Sequence, residues 1–194
     1  MKVKKTLLVA MFALILLVGL VATGAALAWP AGVGQGGSQQ TRVVGTIEFV
    51  DWVHGDPSLR KLDPATNEMV MPGDVLTYKL HGDLEGTYVE RITVRARLPL
   101  DPSGKGPYTL EGRATFAGTL RGKTISWAAD IAGAGFIEPA YAWRGWETCV
   151  ATITSSSASF PCLRGTVISV GIFDASDPTY GANTYSGLLT WQRN

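Results

Sequence analysis

The stretch Tyr88-Val89-Glu90-Arg91-Ile92-Thr93-Val94-Arg95-Ala96-Arg97-Leu98 decides the fold. Tyr88, Glu90, Ile92, Val94, Ala96 and Leu98 alternate with Val89, Arg91, Thr93, Arg95 and Arg97, so alternate side chains of an extended chain share a side. One side is oily and the other basic, which is the pattern of a strand with a core face and a solvent face. A single carboxylate, Glu90, falls on the oily side.

The same rhythm continues in both directions. Upstream, Val43, Gly45, Ile47 and Phe49 alternate with Val44, Thr46, Glu48 and Val50, and Leu76, Tyr78 and Leu80 with Thr77, Lys79 and His81. Downstream, Leu110, Gly112, Ala114, Phe116, Gly118 and Leu120 share a face, and Arg121-Gly122 predicts a tight hairpin into a strand carrying Ile125, Trp127, Ala129 and Ile131. Three further strands are read at about 146–154, 163–173 and 184–192, the last with Tyr185, Gly187, Leu189 and Trp191 on one face. Residues 101–107 and 133–145 read as loops, and residues 55–73 as a Pro-rich connection carrying Leu59, Leu62, Met69, Val70 and Met71 that folds over a barrel mouth.

Eight strands joined mostly by short turns, with no helix between them, must hide their edges. An all-β, eight-stranded antiparallel up-and-down barrel does so, in preference to a two-sheet sandwich, and its lumen is wide enough to be filled by side chains or to hold one small ligand. The inward glycines Gly112, Gly118 and Gly187 suit a curved wall.

Composition bounds the function. The 194 residues are 46% hydrophobic with 23 glycines and 10 prolines, as in one ordinary globular domain. Met1 to Ala28 has a basic start, an apolar run from Leu7 to Val21 and an Ala26-Leu27-Ala28 ending, the grammar of a secretory signal helix; if uncleaved, residues 7–28 are long enough to anchor the chain in a membrane. Residues 29–41 read as a flexible linker and 42–194 as the barrel domain. Without Lys2, Lys4 and Lys5 the exported part has fewer basic than acidic residues, which argues against nucleic acid as a partner. Export also suits a disulfide between Cys149 and Cys162, which a turn centred between Ser155 and Ser156 places opposite one another; two unpaired thiols are the alternative.

The segments Val44–Phe49, Thr77–Thr87, Ala114–Lys123 and Leu163-Arg164-Gly165-Thr166, in this order, resemble the DUF3224 family of uncharacterised bacterial proteins, over about residues 43 to 192. That resemblance implies a barrel related to the allene oxide cyclases and dirigent proteins, a calycin-like architecture with an apolar pocket. The chain departs from the family at Asp130-Ile131-Ala132-Gly133, where the family resembled has Gln-His-Ser-Gly, and in the serine-rich stretch before Cys162. No catalytic residue carries over.

The candidate site therefore comes from the alternation alone. Glu90 is the catalytic candidate, as a general base or as an anchor for a ligand, against the alternative of a solvated or hydrogen-bonded Glu near a barrel end. Tyr78, Glu90, Ile92, Phe116, Trp127, Tyr185 and Trp191 are the ligand-binding candidates, against a wholly packed core. Arg91, Arg95 and Arg97 form an outer basic stripe for which Glu48, Glu111 and Asp130 are the expected counter-charges. Asp174 and Asp177 read as turn residues, His54 and His81 belong to no metal or hydrolase motif, and neither metal nor cofactor is implied. Three functions stay open: an exported binder of a small apolar ligand, a cyclase- or isomerase-like enzyme using Glu90, and a surface module using Phe136, Tyr141, Trp143 and Trp146. Oligomeric state is not legible.

Overall fold

The computed structural model describes residues 37–97, 106–138, 144–157, 159–174 and 183–192. The signal segment, Tyr141, Trp143 and Asp177 lie outside them. Among the described residues nine strands run in chain order: β1 (Ser38–Val53), β2 (Lys61–Asp63), β3 (Glu68–Gly82), β4 (Leu84–Arg97), β5 (Gly106–Leu120), β6 (Lys123–Glu138), β7 (Arg144–Ser156), β8 (Arg164–Asp174) and β9 (Asn183–Gln192). β1 thus begins inside the segment read as a linker. Each strand from β3 to β9 pairs antiparallel with the next, and β1 pairs with both β9 and β3, which closes an eight-stranded barrel; β2 adds only three rungs beside β3.

The inner faces follow the alternation. Val43, Leu80, Leu84, Tyr88, Ile92, Ala96, Leu110, Ala114, Phe116, Leu120, Ile125, Trp127, Ala129, Ile131, Tyr185 and Leu189 are all buried in one core cluster. At the hairpin between β5 and β6, Arg121 and Gly122 have φ of 49° and 81°, the positive values that a two-residue type I′ turn needs. On the outer face Glu111 pairs with the basic stripe, to Arg95 at 3.1 Å, whereas Asp130 meets Arg113 at 3.5 Å and Glu48 meets His81 at 3.0 Å, neither of them in the stripe.

β1 is the seam, and three side chains fasten it. Tyr185 on β9 lies over Gly45 of β1, where an added Cβ would come within 2.5 Å of the phenol ring. Beyond the glycine its hydroxyl donates to the Leu84 carbonyl at 3.0 Å and accepts from the Leu84 amide at 2.8 Å, bridging to the start of β4. Asp83 accepts from the Val44 amide at 3.1 Å and from Arg121 Nε at 2.9 Å, and Arg121 also donates to the Arg42 carbonyl at 2.9 Å. Those hydrogen bonds and the guanidinium hold the Asp83 carboxyl below its usual range.

Four sequence expectations are corrected here. First, part of the 55–73 connection is sheet: Met69, Val70 and Met71 belong to β3 and pair with Ala96, Arg95 and Val94, so their alternation is wall. Second, β6 runs on through Gly133 and Gly135 to Glu138; these glycines are not loop punctuation but gaps that admit Leu110 and Tyr108 from β5. Third, the β7–β8 reversal is not at Ser155-Ser156, which are still strand. The reversal includes residues 159–163, where Phe160 and Leu163 are buried and Cys162 sits exposed at φ 57°.

The fourth correction follows from the third: Cys149 and Cys162 are not disulfide-bonded. Cys149 pairs across with Ser169 on β8 and is buried, whereas Cys162 precedes the start of that strand. Ser169 lies five residues above Arg164, roughly 16 Å of extended chain, far beyond the Cα separation that a disulfide spans.

Two outcomes test this description. Tyr185→Phe leaves the Leu84 amide and carbonyl without their buried partner and lowers unfolding stability by about 1–3 kcal/mol in urea melts; an unchanged midpoint would mean the seam does not depend on the phenol. Titrating the unreduced protein with an aromatic disulfide reagent labels one thiol per folded chain, Cys162, and a second only in denaturant. Absence of any reactive thiol in the denatured, unreduced protein would restore the disulfide.

Candidate functional site

The lumen has two unlike ends. At the lower end, where β3 turns into β4, β5 into β6 and β7 into β8, Leu84, Leu120, Ile125, Phe160, Leu163 and Leu189 are buried, and Phe160 meets Trp191 edge-on at 5.3 Å between ring centres. Gln192 donates its amide to the Pro161 carbonyl at 3.0 Å, which fixes that turn against the end of β9. This end is an apolar plug, and Trp191 belongs to it.

Above the plug, one register row places Phe49, Tyr78, Tyr88, Phe116 and Trp127 side by side on β1, β3, β4, β5 and β6. Their rings interact in sequence: Phe49 with Tyr78 at 5.9 Å, Tyr78 with Tyr88 at 6.1 Å, Tyr88 with Trp127 at 5.7 Å, and Phe116 stacked on Trp127 at 5.3 Å. Side chains at facing ladder positions stand close enough for such contacts, so strand register builds the band.

Glu90, one inner position above Tyr88, is 2% exposed. Leu76 and Ala114 flank it on the neighbouring strands. Cys149 Sγ approaches its Oε1 at 4.0 Å, and its Oε2 is buried without a hydrogen-bond partner. The indole Nε1 of Trp127 is likewise buried and unpartnered. Burial, reinforced by the carboxyl of Glu147, pushes Glu90 up to about 8, with a hydrogen bond from Tyr88 opposing.

Glu147 is the residue the sequence reading missed. It precedes Cys149, Ala151 and Ile153 by steps of two, and those three are buried, so the period was present; reading 133–145 as a loop left that strand without an assigned face. Its Oε2 accepts from the Tyr108 hydroxyl at 2.6 Å. The bond forms across three strands, because Gly135 separates Tyr108 from Glu147 in register and an added Cβ there would lie 2.5 Å from the Tyr108 oxygen. Burial raises Glu147 as well, and raises Tyr78, Tyr88, Tyr108 and the Cys149 thiol, each further from ionising beside the two carboxyls.

The other candidates divide by place. Ile92 and Phe116 are buried in the wall beside Glu90 and Tyr88, while the Tyr185 hydroxyl is committed to Leu84. Asp74, a third buried carboxylate, accepts from the Gly55 amide at 2.7 Å and ties down the 55–73 segment at the β3 bulge. On the outer wall Trp146 is 41% exposed, in register between Phe136 and Ile172. Among the described residues no three His, Cys, Asp or Glu side chains converge as metal ligands. No protein-family model and no curated protein matches the chain.

The arrangement makes Glu90 a neutral acid at pH 7. Unfolded, it ionises near 4.5; folded, near 8. Between those values the unfolded chain gives up a proton that the native chain keeps, so the stability associated with the neutral carboxyl is complete below about pH 4.5 and is lost as pH rises through about 8. Glu90→Gln is expected to remove a slope approaching ~1.4 kcal/mol per pH unit and to be more stable than wild type at pH 8. Urea melts at pH 5 and pH 8 check this, and an unaltered slope would place the titration elsewhere.

Proposed function

We propose that this protein is an exported barrel that binds a small, flat, apolar molecule in its lumen, with Glu90 as the polar anchor. The observation that carries the reading is the Oε2 of Glu90, buried with no partner one inner position above the aromatic band. Burying a polar group without a hydrogen bond costs about 1–3 kcal/mol. A site that exists to receive a ligand accounts for that cost, because the ligand supplies the missing partner. Tyr78, Tyr88, Phe116 and Trp127 give such a ligand a flat apolar surface, and the Trp127 Nε1–H offers a donor to an acceptor on its body. The resemblance to DUF3224 proteins, and through them to the allene oxide cyclase and dirigent barrels, fits this reading, as do the signal segment and export it implies.

A catalytic variant of the same site is the second reading. A carboxyl that holds its proton near neutrality, with a thiol 4.0 Å from one oxygen, has the acid–base character of a proton-transfer catalyst for an apolar substrate. Loss of turnover in Glu90→Gln with binding retained would select it.

Native mass spectrometry of the exported protein, followed by titration with 2-naphthalenemethanol, tests the lumen. A retained small molecule or a saturable change in Trp127 fluorescence is expected, with the fluorescence change abolished in Trp127→Phe and binding itself weakened at least tenfold in Ala114→Phe, which fills the wall next to Glu90. An empty lumen that also fails to take the probe would overturn the reading.

A further inference from the structure

Among the described residues, the ionisable groups that face the lumen are all acids. Glu90 and Glu147 face it from β4 and β7, and their other polar neighbours are the neutral phenols of Tyr78, Tyr88 and Tyr108 from β3, β4 and β5 and the neutral thiol of Cys149 from β7. From the remaining walls the inner positions are Gly133 and Gly135 on β6, Ser169 and Gly171 on β8, Asn183 and Tyr185 on β9, and Ile47 and Phe49 on β1, none of which carries charge, while Asp74 on β3, in register with Ile92, adds a third carboxylate. No Arg, Lys or His is buried among the described residues; Lys79, His81, Arg91, Arg113 and Arg121 are all exposed. Proteins that bury carboxylates for structural reasons pair them, as Asp74 is paired with the Gly55 amide here. Glu90 has no such partner for Oε2.

The surfaces next to that oxygen have the complementary property. The faces of aromatic rings carry partial negative charge and attract cations, most strongly where water is excluded. Tyr88 adjoins Glu90 on the same strand face, with Tyr78 and Trp127 on either side of it at 6.1 and 5.7 Å. A metal ion is disfavoured, because the described acidic and thiol groups do not converge as ligands. An anion would meet two carboxyls, and a neutral alcohol would satisfy one oxygen while making little use of the ring faces.

We infer that the ligand is a hydrophobic amine, its protonated nitrogen held by Glu90 Oε2 in the company of Glu147 and against the rings of Tyr78 and Tyr88, its flat body along Phe116 and Trp127. The inference rests on the lumen-binding reading and names the ligand class for it. When the ammonium ion pairs with Glu90, the carboxyl proton leaves to solvent and the nitrogen keeps its own, so binding of one amine releases up to one proton below pH 8.

The test compares 2-naphthylmethylamine with 2-naphthalenemethanol, two probes of the same shape, by calorimetry on the full exported chain at pH 6, 7 and 8. The amine is expected to bind at least tenfold tighter than the alcohol at pH 8 and to weaken up to about tenfold per pH unit on going down to pH 6, as the ionised fraction of Glu90 falls, while the alcohol's affinity stays flat. Its heat should vary with the buffer's ionisation enthalpy, the sign of a released proton, which needs no mutant. In Glu90→Gln the preference for the amine disappears and the alcohol still binds; Glu147→Gln, a second variant should the first not fold, reduces the preference in part. Equal affinities for amine and alcohol in the wild type would overturn the amine inference and leave the lumen reading standing. Failure of both probes to bind would remove the lumen reading itself.

Discussion

Everything inside this protein depends on β1 pairing along both of its edges. With one of those ladders missing, the chain would be a twisted sheet with two open edges and a face of Tyr, Trp, Phe and Leu side chains in water. The seam joins residues far apart in sequence, Gly45 with Gly82 on one side and with Tyr185 on the other, and is held by contacts that are themselves long-range. The Tyr185 phenol crosses Gly45 to reach Leu84, while Asp83 and Arg121 clasp the backbone of β1. Closure excludes water, and only then does a carboxyl at position 90 become a chemical statement.

One device recurs on the inner wall. A tyrosine on one strand lies across a glycine on the next and makes its hydrogen bond on or beyond a third. Tyr185 over Gly45 uses it to fasten the fold at the lower half of the barrel, and Tyr108 over Gly135 uses it to hold Glu147. The same geometry thus serves stability at one end and the candidate site at the other. Between them the lumen grades from an apolar plug around Phe160, Leu163 and Trp191 to an aromatic band and then to paired acids, so a bound molecule would meet its polar contacts above its apolar ones.

The parts of the site that could be read without coordinates were those on strands with unbroken alternation. Tyr78, Glu90, Phe116 and Trp127 fell on the correct face because a period of two leaves a half-buried strand no other choice. Glu147 was missed because its strand had no assigned face, and the cysteines were misplaced for a different reason. The turn between β7 and β8 is built from Phe160 and Leu163, which are buried, whereas the serines that resemble a turn are still strand. Hydrophobic residues in a reversal and polar ones in a ladder invert the usual signals, and the error shifts the pairing of Cys149 by an odd number of residues, which exchanges one face for the other. The glycines of β6 misled in the same way, since spaces left for neighbouring rings read like breaks in the strand.

The amino-acid sequence by itself determined that the chain is all-β, which side of most strands faces inward, and that a carboxylate stands among the oily residues, because each of these is a local consequence of backbone pleat and side-chain type. Tertiary structure alone decided which residues meet across the lumen: that Glu90 comes to Cys149 and lies within the electrostatic reach of Glu147, that Cys149 stays far from Cys162, and that no buried cation among the described residues answers the acids. Those facts depend on the tilt and register with which β4 and β7 face each other around a closed wall, and register over three intervening pairings is a property of the whole barrel.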